Sequence, residues 1–201
     1  MTLRYVALGD SYTIGTAIDE TGRWPNQLVD RLGQPPPLEL VANLGVNGYT
    51  SADVIRDELP PLPTLRPDFV SLLIGVNDVV QRVPLERYEA NCTLILERLV
   101  ALVGATRIVC VEIADYTVTP AGADYGDPAI QAAAIERTNA SLTRLAGERG
   151  IAFVGGIFAD SRRAATDRSL VADDGLHPSA AQYAMWVDRI ELAVRSVLGI
   201  A

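Results

Sequence analysis

Tyr5-Val6-Ala7-Leu8-Gly9-Asp10-Ser11 is an apolar run that stops at a small-polar turn. Such a run is too short for a buried helix, and with turn residues at its end it reads as a strand covered on both faces. The same pattern recurs at Leu38 to Ala42, Phe69 to Ile74, Ile108 to Ile113 and Ile151 to Val154. Between these runs the apolar period changes from strand to helix. From Pro84 to Val103, Tyr88, Cys92, Ile95, Leu99 and Leu102 alternate steps of four and three. From Pro178 to Leu198, Tyr183, Val187, Ile190, Val194 and Val197 do the same. Both helices are expected to open with proline in the first turn, where its missing N–H costs nothing. Shorter helices are expected at Trp24 to Leu32, Ser51 to Leu59 and Pro128 to Arg149. Strand and helix alternating from end to end predict a doubly wound parallel sheet of five strands, in one α/β domain spanning 1–201.

In such a sheet, ligands bind beyond the carboxyl ends of the strands, where the turns gather. Three small-polar turns fall on that rim: Gly9-Asp10-Ser11, Asn43-Leu44-Gly45-Val46-Asn47-Gly48, and Gly75-Val76-Asn77-Asp78. The four prolines of Pro60 to Pro67 read as a tight loop. Tyr116 to Asp127 is the longest segment without a period, a candidate rim or lid.

The balance of charge narrows the partners. Asp and Glu number 25 against 17 Lys and Arg, a formal net charge of −8. The bases are scattered apart from Arg162-Arg163, so no footprint for nucleic acid is expected. All the bases are arginine, which excludes a P-loop lysine and a Schiff-base lysine. Cys92 and Cys110 read as two buried free thiols rather than a disulfide or metal knuckle. No apolar stretch reaches the ~18 residues of a membrane span, and Met1-Thr2-Leu3 runs straight into the first strand. The expectation is a cytoplasmic chain acting on a small molecule, with its oligomeric state open.

His177, in Asp174-Gly175-Leu176-His177-Pro178, is the one histidine, so imidazole chemistry at neutral pH must use it. A serine hydroxyl is a poor nucleophile unless a base lies within hydrogen-bond reach. Ser11 at the first rim turn, His177 as base and Asp174 to orient the ring make up a serine-hydrolase triad in sequence order. Singly, each has a plainer role: a capping serine, a histidine at a helix start, an Asp-Gly turn. Asp173 competes with Asp174, and the spacing favours Asp174. Asp10 and Asp78 read as turn and cap residues. Tyr12, Tyr49 and Val79, each beside one of these rim turns, are the expected substrate-binding wall, with Tyr116 added from the long loop. No metal or cofactor is expected.

Four blocks, Gly9-Asp10-Ser11, Gly48 within Val46-Asn47-Gly48-Tyr49-Thr50-Ser51, Gly75-Val76-Asn77-Asp78 and Asp174-Gly175-Leu176-His177, resemble in order the signatures of the SGNH (GDSL-type) hydrolases. The resemblance spans nearly the whole chain, with Tyr12 standing where many members carry leucine. It implies a flavodoxin-like three-layer α/β/α sandwich and hydrolysis of short or medium acyl esters, acetyl esters and lysophospholipid-like substrates among them. It also implies an oxyanion hole from the Ser11 amide, the Gly48 amide and the Asn77 side chain. An acyltransferase or carbohydrate deacetylase on the same triad, and a non-catalytic small-ligand module, remain open.

Overall fold

The computed structural model describes residues 2–200. Five strands, β1 (Leu3–Gly9), β2 (Leu38–Asn43), β3 (Phe69–Leu73), β4 (Ile108–Val111) and β5 (Ala152–Val154), form one sheet in the order β2-β1-β3-β4-β5. Every neighbouring pair is parallel. The helices are α1 (Ser11–Ile14), α2 (Trp24–Arg31), α3 (Ser51–Asp53), α4 (Leu62–Leu65), α5 (Val76–Val80), α6 (Leu85–Val103), α7 (Pro128–Gly147), α8 (Ile157–Ser161) and α9 (Ala180–Leu198).

The period of two along the strands sorts the core into two layers. Tyr5, Ala7, Phe69, Leu73, Val109 and Val111 face one side, against Trp24 and Leu28 of α2 and Tyr183, Trp186 and Ile190 of α9. Val6, Leu8, Val70, Leu72 and Cys110 face the other, against Cys92, Ile95 and Leu99 of α6 and Leu142 of α7. The long helices therefore sandwich the sheet, the stepped apolar stripes of α6 and α9 facing inward except for Leu102 of α6, which is exposed. Full burial of one such aliphatic side chain stabilises the fold by about 1.5–3 kcal/mol. The buried hydroxyls of Tyr5 and Ser71, on neighbouring strands, satisfy each other at 2.7 Å. Cys92 and Cys110 are free and buried, and burial pushes the Cys110 thiol up to about 12.

Several local expectations are corrected. The proline segment contains a helical turn, α4, because Pro61 caps it and Pro63 sits in its first turn, where no N–H is needed. Pro84 is the cap of α6 rather than a member of its first turn. Pro178 precedes Ser179, the cap of α9, and bridges Val171 instead. The helix from Ser51 widens after α3 into a π-helical turn over Val54–Glu58. Strand β2 is an edge: Leu38 and Leu40 pack into one core layer and Val41 and Ala42 against the other, while Glu39 is exposed. Tyr116 to Asp127 holds two short 3-10 turns, Tyr116–Val118 and Gly122–Tyr125.

The strand order reverses direction at β1, since β2 lies on one side of it and β3 on the other. Doubly wound sheets open a crevice at that point, outside the carboxyl ends of the strands. The turns after β1 and β3 carry Ser11 and Asn77, so the topology alone brings these two residues to one rim.

Candidate active site

Gly9 ends β1 at φ +150°, and a Cβ there would lie 2.1 Å from the Leu73 carbonyl oxygen. Only glycine lets the chain turn this sharply against β3. Asp10 then caps α1, its Oδ1 accepting from the Tyr12 N–H at 3.0 Å. Ser11 is the first residue of α1, a position whose N–H has no intrahelical acceptor. Its side chain lines a cleft of about 130 Å3 together with Tyr12, Asn77, Tyr116, Tyr125 and His177.

The Asp174–His177 loop is a self-bonded turn. Asp174 Oδ1 accepts the main-chain N–H groups of Leu176 and His177 at 2.9 and 3.0 Å. Its Oδ2 lies 2.5 Å from His177 Nδ1. Ala172 N–H donates to the His177 carbonyl at 2.8 Å, and Val171 bridges Pro178, so both ends of the loop are tied. Partial burial works to raise the Asp174 carboxyl, but the bonds from the His177 ring and the two amides outweigh it and hold it below the usual range. An ionised carboxylate only accepts, so Nδ1 presents its N–H to Asp174, and in the neutral ring Nε2 is the nitrogen left as acceptor. Nε2 has no hydrogen-bond partner among the described residues, and the ring borders the cleft. Behind it, Tyr12 meets the imidazole edge-on with centroids 6.1 Å apart, and Trp186 of α9 backs Tyr12 at 5.8 Å. Asp173 borders a different hollow, beside Ala17 and Ala180.

No hydrogen bond links Ser11 to His177 among the described residues, although both line the same cleft. Asn77 enters from α5, and its Nδ2 donates one hydrogen to the Tyr49 carbonyl at 2.9 Å, which leaves the second free. Gly48 is exposed at φ +84°, its carbonyl accepting from Gln81 Nε2, while its neighbour Asn47 lines the cleft. Two of the expected wall residues stand elsewhere. The Tyr49 hydroxyl pairs with Asp57, and Val79 borders a second pocket on the far side of α5. Val76 and Val80, one helical turn apart on the face that carries Asn77, line the cleft instead, joined by Tyr125 and Leu176. Of these, only the Val76/Val80 spacing left a trace in the sequence.

Beneath the rim lie three buried acids. Asp78 accepts from the Ser51 N–H at 2.8 Å and from the Ser51 hydroxyl at 2.6 Å, tying α5 to α3, and burial outweighs these bonds to push its carboxyl up. Burial also raises Asp10 to about 8, with Asp78 adding to it. Glu58, from the π-helical turn, accepts the Gly9 N–H at 2.9 Å and is raised to about 9 by burial and by Asp10. One oxygen each of Asp10 and Glu58 is buried without a partner. Among the described residues no group of three or more His, Cys, Asp or Glu side chains could hold a metal ion.

With this geometry in place, residues 7–185 match the family described as GDSL-like lipase/acylhydrolase. The chain belongs to that family. Its fold is that of solved family-like structures at low identity. The crystal structure of TesA superposes with a TM-score of 0.75 at 19% identity, covering 96% of this chain and 99% of that one. The psychrotrophic esterase EstA from Pseudoalteromonas sp., in a structure inhibited by monoethylphosphonate, gives 0.74 at 18%, covering 98% of each chain. The acetylxylan esterase Axe2 from Geobacillus stearothermophilus gives 0.72 at 20%, covering 99% of this chain and 95% of the other. No curated protein sequence matches the chain. As in those folds, this GDSL-family chain is an α/β sandwich on a parallel sheet, and no helix among its described residues is long and apolar enough to cross a membrane.

Proposed function

We propose that this GDSL-family chain hydrolyses carboxylic esters through an acyl-enzyme on Ser11, without a metal ion. The observation that carries the reading is the His177 ring: Asp174 holds Nδ1, and the ring borders the cleft that Ser11 lines. His177 Nε2 takes the hydroxyl proton as Ser11 Oγ bonds to the acyl carbon, and the carbonyl electrons move onto oxygen. That oxyanion is received by the Ser11 N–H, the Gly48 N–H and the free hydrogen of Asn77 Nδ2, donors each worth about 3 kcal/mol of barrier. Collapse expels the alcohol, which takes the proton from His177. Water then repeats the sequence to release the acid.

The test is covalent labelling by a fluorophosphonate together with turnover of p-nitrophenyl acetate. Labelling at Ser11, and loss of turnover in Ser11→Ala and His177→Ala, support the mechanism. A folded protein that neither labels nor turns over is a binding module, and products formed with a competing alcohol at the expense of free acid make it a transferase.

A further inference from the structure

Beyond the cleft, across α5 and the 116–127 segment, lies a second pocket of about 380 Å3. Val79, Val83, Leu85, Ile130 and Ala134 give it an apolar stretch of wall, Asp78, Asp127 and Thr138 add polar groups, and Arg82 and Arg137 stand among its exposed residues. The two hollows share a wall. Tyr116 and Tyr125 line the cleft, whereas Gln131 and Gly126 line the second pocket.

Gln131 of α7 fastens that wall. Its Oε1 accepts from the Tyr116 hydroxyl and its Nε2 donates to the Tyr125 carbonyl, both at 3.2 Å. The two tyrosine rings meet edge to face, centroids 5.7 Å apart. Gly126 makes the approach feasible, because at φ +131° a Cβ would lie 2.8 Å from Gln131 Nε2. The partition is thus one buried amide and two rings, closing a small cleft off from a larger one with an apolar stretch of wall.

We propose that Gln131 determines the acyl-chain length that the Ser11 cleft accepts. By holding Tyr116 and Tyr125 shut it ends the acyl site at this wall, so short acyl groups fit and longer aliphatic chains do not. Without its two hydrogen bonds the rings part, and the chain extends into the aliphatic pocket. Gln131 is a positioning residue, acting through the two tyrosines, and its role rests on Ser11 being the nucleophile.

The experiment compares kcat/KM for p-nitrophenyl acetate and p-nitrophenyl octanoate, below micellar concentrations, in wild type, Gln131→Ala, Gln131→Met and Tyr116→Phe. Gln131→Met keeps the volume and removes both hydrogen bonds, and Tyr116→Phe removes one of them. Wild type is expected to favour acetate, and the octanoate/acetate ratio to rise by roughly 10-fold or more in Gln131→Ala, with smaller rises in the other two. A loss of structural integrity would depress both substrates together and leave the ratio where it was. A wild type that favours octanoate overturns the proposal, as does an unchanged ratio in the folded variants. If Gln131→Ala does not fold, the ratio in Tyr116→Phe decides. Hydrolysis that persists in Ser11→Ala defeats the nucleophile assignment instead, and so separates the two failures.

Discussion

The side-chain amide of Asn77 donates to the main-chain carbonyl of Tyr49 at 2.9 Å, so the loop after β2 aims a group carried by the turn after β3. Tyr49 contributes to the rim through its backbone, while its hydroxyl turns away to Asp57. A donor that is pre-aimed costs no reorganisation when charge develops on the substrate oxygen. Asn77→Ala is therefore expected to lower kcat by about 10²–10³ with a small change in KM. Tyr49→Ala, which keeps the carbonyl, should change kcat/KM by no more than about 2-fold, within the range of surface substitutions. Steady-state kinetics on one short ester decides both, and an equal loss in the two variants would place the ring, not the carbonyl, in the site.

Asp174→Asn tests the orientation of the imidazole. The amide can still accept from the main-chain N–H groups of Leu176 and His177, so the loop keeps its turn. What it lacks is the negative charge that fixes the proton on Nδ1. A fall in kcat of about 10³–10⁴ is expected, by analogy with serine proteases whose triad aspartate is replaced by asparagine. A variant retaining a tenth of the wild-type rate would show that Asp174 does not orient the ring.

The strands and long helices were legible because their residues repeat at the periods that burial imposes. The rim was legible because small-polar turns close the first three strands. What escaped reading is contact across the chain. Val79 sits next but one to Asn77 in sequence yet faces the other way on α5, since a helix aligns residues three and four apart. Tyr125 and Gln131 meet only because the loop before α7 folds back over that helix. Glu58 carries no local signal at all, for its partner Gly9 is separated from it by 49 positions. Asp10 does serve as the expected cap, but its near-complete burial is a property of the packed molecule.

Ser51→Ala should be markedly destabilising for a polar-to-alanine change. The substitution removes the hydroxyl that donates to Asp78 at 2.6 Å, in the interior, and that accepts from the half-buried Asn91 at 2.9 Å. A buried carboxylate oxygen then loses its donor, a loss of about 1–3 kcal/mol. Urea denaturation at constant m-value measures it. A midpoint equal to that of wild type would mean the Asp78 carboxyl finds another donor.

Glu58 makes the stability of the fold depend on pH in an unusual direction for a carboxyl. Burial and the nearby Asp10 raise its folded-state pKa to about 9, far above the ordinary glutamate value near 4.3 that applies when the chain is unfolded. The folded protein then binds more protons than the unfolded one between these two values, so this group's stabilisation is complete below the lower value and is lost as pH rises through the upper. Asp10, raised to about 8, acts in the same sense. Carboxyls held low, such as Asp174, lose their contribution only in stronger acid and are silent in this window. Glu58→Gln keeps an acceptor for the Gly9 N–H and removes the titration. Its unfolding free energy should fall less than that of wild type between about pH 5 and pH 9, the difference in slope staying below the one-proton limit of about 1.4 kcal/mol per pH unit. Glu58→Ala should lose the Gly9 bond as well and lower kcat by loosening the turn that carries Ser11. Parallel pH slopes for wild type and Glu58→Gln would mean that the carboxyl reaches water in the folded protein.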